Sequence, residues 1–126
     1  MQDNSKTSRD YRKLQVWVKA HEVALEVYRS SRAFPREELY GLTSQMRRAA
    51  ASVPINIAEG CGRGGLGDLI RFMTIAQGSA SELSYQVLLA HDLGYISTET
   101  HRVLAAKTLE VNRMLTAYLC KLRANG

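Results

Sequence analysis

Gln45, Arg48, Ser52, Asn56, Glu59 and Arg63 recur at steps of three and four within QMRRAAASVPINIAEGCGR, part of a 126-residue chain. On a helix turning about 100° per residue, they form one ridge with a hydrogen-bonding side chain on each turn. The ridge has two readings. It is a solvated flank whose Glu59–Arg63 i,i+4 pair contributes about 0.2–0.5 kcal/mol, or it is a hydrogen-bonded network at a protein or nucleic-acid contact, where loss of water gives each partner more weight.

Catalytic chemistry finds little support. Glu59 and Glu82 carry the carboxylates of an acid–base pair, but no pocket motif surrounds them. GCGRGG, residues 60–65, matches GxGxxG as a string, yet a dinucleotide fingerprint follows a strand and the residues before this one read as helix. Neither GxxxxGK[ST] nor GxSxG occurs. His21, His91 and His101 share no metal-ligand spacing, and His21 and His101 project toward core stripes, where a structural role is expected. Cys61 and Cys120 form no CxxC pair, so neither a disulfide framework nor a cysteine zinc site is indicated. The sequence predicts no catalytic residue, no metal and no cofactor.

Charge points to binding. Seventeen Lys and Arg against twelve Asp and Glu give a net charge of +5, and a sequence pI near 9.5, which attracts polyanions. Part of the excess lies in the start of the chain, where Lys6, Arg9, Arg12 and Lys13 outnumber Asp3 and Asp10. Arg47, Arg48, Arg63 and Arg71, with Lys107, Arg113 and Lys121, are the candidates for a phosphate-contacting surface; ordinary solvated charge is the alternative.

Helices must position these groups. Helical spacing recurs four times and alternating strand patterns are missing. The first helix is expected from about Gln15 to Ser31, with Leu14, Trp17, His21, Ala24, Leu25 and Tyr28 as its core face, and Phe34-Pro35 stops it. The second starts near Leu42 or Thr43 and reaches about Gly60, where GCGRGGLG supplies a terminator. The third runs from Asp68, as N-cap, to Leu93, burying Leu69, Phe72, Met73, Ala76, Ala80, Leu83, Val87 and Ala90, and Gly94 closes it. Ser97 or Thr98 caps the fourth, whose Leu104, Thr108, Val111, Leu115, Tyr118 and Leu122 form a heptad seam. Short connections make an antiparallel up-down-up-down four-helix bundle the simplest packing. Residues 13–126 form one domain after a disordered basic tail over 1–12. No apolar segment approaches the roughly 20 residues that span a bilayer, and MQDNSKTSRDYRK offers no signal peptide, so no membrane contact and a cytoplasmic location are expected.

The second helix is apolar on two sides. Leu42, Met46, Ala49, Val53 and Ile57 form its core stripe, while Ser44, Ala51, Ile55 and Ala58 lie opposite, where a solvated face prefers lysine and glutamate. A subunit interface on that second side follows. Pro54 lacks an N–H and crowds the carbonyl of Ala50, which kinks the helix; alternatively the helix ends at Ser52 and restarts with Pro54 in its first turn.

ELYGLTSQMRRAAASVPINIAEGCGR, RFMTIAQGSASEL and LGYI, together with VWVKAHEVALEVY and FPREE, resemble the four-helix bundle protein family, also known as the 23S rRNA intervening-sequence protein family. GLTSQ, RRA, NIAEG, GR and GS-x-x-EL occur in order at that family's spacing, and the resemblance covers nearly the whole chain. It implies a non-enzymatic bundle that assembles as a ring-like homopentamer and serves as an RNA- or DNA-associated adaptor, or alternatively as a protein-only scaffold. By the same analogy a reverse-transcriptase-like protein is a candidate partner. On the matching positions, Gln45, Arg47, Arg48, Asn56, Glu59 and Arg63 fall on the second-helix motif, and Gly78, Ser79 and Glu82 on the third. Gly78 and Ser79 would permit close helix approach, and Glu82 would pair with an arginine of the second helix. Gln45, Ala51, Ser52, Pro54, Ile55, Asn56, Ala58, Glu59, Gly78, Ser79 and Glu82 thus make up the expected structural and interface set. After Arg63 the chain departs from the pattern: Gly64, Gly65, Leu66 and Gly67 stand where relatives often carry polar or basic residues, which withholds charge from this loop.

Overall fold

The structure, a computed structural model, describes residues 10–125. Four helices account for most of them: α1 (Gln15–Ser30), α2 (Leu42–Arg63), α3 (Leu66–Asp92) and α4 (Thr98–Ala124). Each packs on its neighbour in sequence, and α1 closes the bundle against α4; the α2–α3 contact is the most extensive and α1–α4 the least. No strand occurs among the described residues, and none of their helices is long and apolar enough to cross a membrane.

The ends of the helices follow local chemistry. Ser97 Oγ accepts from Thr100 N at 3.0 Å and caps α4. Gly64 (φ 83°) ends α2, and Gly94 (φ 81°) ends α3, both in left-handed conformations that glycine adopts without a Cβ clash. Asp68 is not the cap of α3: the helix begins two residues earlier, after Gly65. Asp68 instead sits in the first turn, where the helix dipole favours a carboxylate, and pairs with Arg71 at 3.6 Å. At α2 the cap role passes to Glu38, whose Oε1 accepts from Leu42 N at 3.1 Å while its Oε2 accepts from Tyr95 O–H at 2.9 Å. One carboxylate therefore ties the α3–α4 connection to the start of α2, and these hydrogen bonds hold it below the ordinary glutamate value of 4.5.

The expected tail over 1–12 lies outside the described residues except at its end. Residues 10–12 fall in structure rather than tail: Asp10 Oδ1 accepts from Arg12 N at 3.1 Å and caps a 3-10 turn, Tyr11–Lys13. Tyr11 packs edge-on against Trp17, with ring centroids 4.9 Å apart, which anchors that turn to α1.

The core is built from the α3 face and α4 seam as the spacing predicts, with Tyr118 only half-buried. The α1 face is different. Val16, Ala20, Val23, Ala24 and Val27 are buried, whereas His21 is exposed, Leu25 is 40% exposed and Tyr28 44%. Val16-Ala20-Val23-Val27 and Trp17-His21-Ala24-Tyr28 carry the same 4-3-4 spacing one residue apart, so periodicity cannot choose between them. Size chooses. The facing α2 buries Ala49 and Ala50, which lets α1 approach closely and favours its slender valine–alanine stripe over the aromatic one.

α2 runs unbroken through Pro54, which is buried, so the helix does not restart there. It also passes Gly60 by one turn. A Cβ on Gly60 would lie 3.0 Å from Phe72 Cβ and 3.5 Å from Leu69 Cα, so glycine is what lets α2 and α3 meet near their turn. Gly62 faces open space, with nothing within 4 Å of such a Cβ.

Two predictions follow from these contacts. Gly60→Val should lower the urea-unfolding free energy by about 1–3 kcal/mol relative to Gly62→Val, because both carry the same helix-propensity change and only the first overpacks the α2–α3 contact. For Glu38 the depressed acidity means stabilisation that is present above pH 4.5 and is lost as pH falls through the lower folded-state value. Unfolding midpoints of the native chain and Glu38→Gln should therefore diverge near neutrality and converge in acid; a constant gap would contradict the role.

Candidate nucleic-acid and subunit surfaces

The α2 ridge divides into an inward and an outward part. Ser52 Oγ lies 2.8 Å from Ser79 Oγ on α3. Asn56 Nδ2 donates to Ser52 O at 2.8 Å and to Ser52 Oγ at 2.9 Å. These three side chains form a network inside the subunit, which fixes the register of α2 on α3. Glu59 and Arg63 form the i,i+4 pair at 3.0 Å, each about half exposed, so its contribution stays at a few tenths of a kcal/mol. Gln45 and Arg48 are exposed, and their side chains make no hydrogen bond or ion pair among the described residues.

Two expectations for α3 change. Gly78 does not permit close approach within the subunit: it is exposed, and a Cβ there would meet nothing within 4 Å. Gly60 has that role, and Ser79 touches α2 through its hydroxyl. Glu82 pairs with no arginine of α2 inside the subunit; among the described residues it accepts from Gln86 Nε2 at 3.2 Å. The outward side of α2, with Ala51 and Ala58 half-buried and Ile55 61% exposed, remains uncovered within the subunit. By helical register it lies beside the displaced α1 stripe of Trp17, His21, Leu25 and Tyr28.

Apart from the exposed Arg48, the six other candidate cationic residues separate into three groups. Arg47 is structural: Nε donates to Ser31 Oγ at 2.7 Å, a terminal nitrogen donates to Tyr28 O at 3.3 Å, and the guanidinium sits 4.9 Å from the Tyr28 ring centroid. It binds the end of α1 to α2, where a cation also suits the helix dipole. Lys107 and Arg113 lie along the middle of α4, Arg113 lining a groove between α3 and α4 of about 740 Å³.

Arg63, Arg71 and Lys121 lie at the same end of the bundle, the arginines on its α2–α3 side and Lys121 on its α1–α4 side. The two guanidiniums stand 5.2 and 4.4 Å from the centroid of the same ring, Phe72, an arrangement favoured by the ring quadrupole. Lys121 borders the groove beside Leu14 and Gln15 at the start of α1. Arg123, which sequence reasoning missed, joins them by donating to Thr74 Oγ1 at 3.2 Å. Arg12 and Lys13 stand at the start of α1 at this end. The acidic residues here, Asp10, Glu59 and Asp68, are each already paired with an arginine. The signal for Arg123 was available: up-down topology places the last turn of α4 beside the first turn of α3.

The histidines depart from expectation. His21 points outward and stacks on Trp17, centroids 5.0 Å apart at 10°. His91 and His101 meet across the α3–α4 connection at 4.4 Å, a pairing hidden by their separation in sequence. No group of three His, Cys, Asp or Glu side chains among the described residues is placed to hold a metal, and Cys61 and Cys120 are not disulfide-bonded.

Comparison with known proteins agrees with this architecture. The sequence model of a family described as 23S rRNA-intervening sequence protein matches residues 12–117. The chain is also similar to the crystal structure, at 1.70 Å resolution, of a protein of unknown function from the S23 ribosomal protein family of Bacteroides thetaiotaomicron. The TM-score is 0.75 at 23% identity, covering 82% of this chain and 94% of that one, a likeness of fold. No protein of curated function matches.

The adjacent arginines should separate in a stability assay. Arg47→Ala is expected to lower unfolding free energy by about 1–3 kcal/mol through its lost charge-assisted hydrogen bonds, and Arg48→Ala to change it by less than about 0.5 kcal/mol. Equal effects on the thermal midpoint would contradict the division.

Proposed function

The chain belongs to the 23S rRNA-intervening sequence protein family, and we propose on that premise that it acts as a non-enzymatic, homo-oligomeric adaptor holding RNA by its phosphates. The observation that carries this reading is the basic end of the bundle. Arg63 and Arg71 flank Phe72 and occupy the local carboxylates Glu59 and Asp68, while Lys121 and Arg123 stand at the same end of the bundle. Lys13, Lys121 and Arg123 make no ion pair among the described residues, leaving uncompensated charge for phosphate. Non-specific affinity of this kind arises from release of condensed counterions. Repetition of the basic end in a ring-like homopentamer multiplies it, since copies bind one RNA as linked sites. A kink at Pro54 would let α2 curve around such a ring.

A second reading, a protein-only scaffold, is favoured by a separate observation: the uncovered apolar surface where Leu25, Tyr28 and Ile55 are all 40% exposed or more. Apolar surface of this kind marks an interaction site, and it needs no nucleic acid.

Fluorescence anisotropy with a labelled structured RNA, titrated across salt, tests the leading reading. Each phosphate contact should contribute about −0.7 to −0.9 to the log–log slope. Lys121→Ala/Arg123→Ala should flatten the slope, and Arg102→Ala, at the opposite end of the bundle, should leave it unchanged. Absence of binding at low salt would overturn the RNA reading and leave the scaffold.

A further inference from the structure

We propose that Arg48 of one copy pairs with Glu82 of a second copy, while Ile55 of the first packs on Ile75 of the second, so that the outer face of α2 docks along the α3 side of its neighbour. This rests on the homo-oligomeric part of the function proposed above and supplies its contact chemistry.

The first observation is a matched deficit of partners. Arg48 is exposed and has no acidic partner, and Glu82 has no cationic one, among the described residues. Glu82 lines a groove of about 460 Å³ at the α2–α3 seam that contains two carboxylates, Glu38 and Glu82, and no lysine or arginine, in a chain of net charge +5. On the same wall Gln86 is only 6% exposed; its Nε2 donates to Glu82, and its Oε1 has no hydrogen-bond partner. Tyr85, 61% exposed, offers a ring face beside them. A planar cation with several donors suits a carboxylate beside an aromatic ring.

The second observation is register. Arg48 and Ile55 are seven residues apart on α2, and Ile75 and Glu82 are seven apart on α3, so each pair lies on one side of its helix. The Ser52–Ser79 contact aligns the two antiparallel helices. It sets Arg48 level with Glu82 and Ile55 level with Ile75. Ile55 and Ile75 are 61% and 42% exposed. Rotation about an axis along the bundle preserves height, so a neighbour in a ring presents Glu82 to Arg48 and Ile75 to Ile55 together. The two surfaces differ, which makes the contact heterologous, the kind that closes rings.

Sedimentation equilibrium of the full chain tests the pairing, using Arg48→Glu, Glu82→Arg, the double exchange Arg48→Glu/Glu82→Arg, Ile75→Glu, and Glu110→Arg as a control of equal charge change. Arg48→Glu, Glu82→Arg and Ile75→Glu should each raise the dissociation constant about tenfold or more, and the double exchange should recover most of the loss relative to Arg48→Glu and Glu82→Arg. Glu110→Arg should leave assembly unchanged, and circular dichroism should show every variant folded. A monomeric native chain would overturn the homo-oligomeric reading and this contact with it. A native oligomer indifferent to Arg48→Glu and Glu82→Arg, or a double exchange no better than either, would overturn this contact alone.

Discussion

The approach of α2 to α3 governs the molecule. Position 60 is tight, since Phe72 Cβ would stand 3.0 Å from an added Cβ and would have to give way to it, and farther along the hairpin Ser52 and Ser79 meet through their hydroxyls at 2.8 Å. Two small-residue contacts on one pair of helices determine both separation and register. The positions of the remaining side chains follow. Phe72, held against Gly60, becomes the ring on which Arg63 and Arg71 converge from the two sides of the turn. Beyond the serine contact, Gln45 and Arg48 face outward, and Glu82 is left on the α3 side without a cation.

Charge is distributed by the same geometry. Neighbouring arginines of α2 point about 100° apart, so Arg47 is drawn into hydrogen bonds with α1 while Arg48 stays in solvent. A paired-arginine motif therefore combines one structural cation with one available for contact. At the opposite end the first turn of α3 and last turn of α2 each satisfy a carboxylate internally, which removes competition for the cations contributed by α1 and α4. Glu38 shows the reverse case: a carboxylate committed to a backbone N–H and a phenol, stabilising a connection instead of binding a partner.

What the sequence makes legible depends on whether a residue's setting is local. The α3 face is readable because a single apolar stripe repeats over about six turns, and Gly94 is readable because its backbone demands φ > 0. The α1 face is not, since two stripes share one spacing and only the alanines of α2 decide between them. Gly60 and Gly78 look alike in sequence, but only Gly60 opposes another helix closely. Asp68 has the chemistry of a cap without being one, because Leu66 and Gly67 extend α3 toward the glycine turn. For the candidate surfaces, helix-by-helix reading finds Arg63, Arg71 and Lys121 and misses Arg123, whose place emerges when helix ends are assembled across the bundle. The family resemblance identifies the architecture; the covering of the outer α2 face belongs to surroundings that one chain's sequence does not specify.

The proposed division of the surface gives outer α2 and its α3 counterpart to assembly, and the basic end to RNA. Hydroxyl-radical footprinting read by mass spectrometry, across protein concentration and with or without a structured RNA, reports both surfaces at once. The account predicts protection of Ile55, Ile75 and Tyr85 that grows with protein concentration in the absence of RNA, and protection of the segments around Lys13 and Lys121 that appears when RNA is added. Ile55, Ile75 and Tyr85 equally reactive at every concentration, with no change at Lys13 or Lys121 on adding RNA, would contradict it.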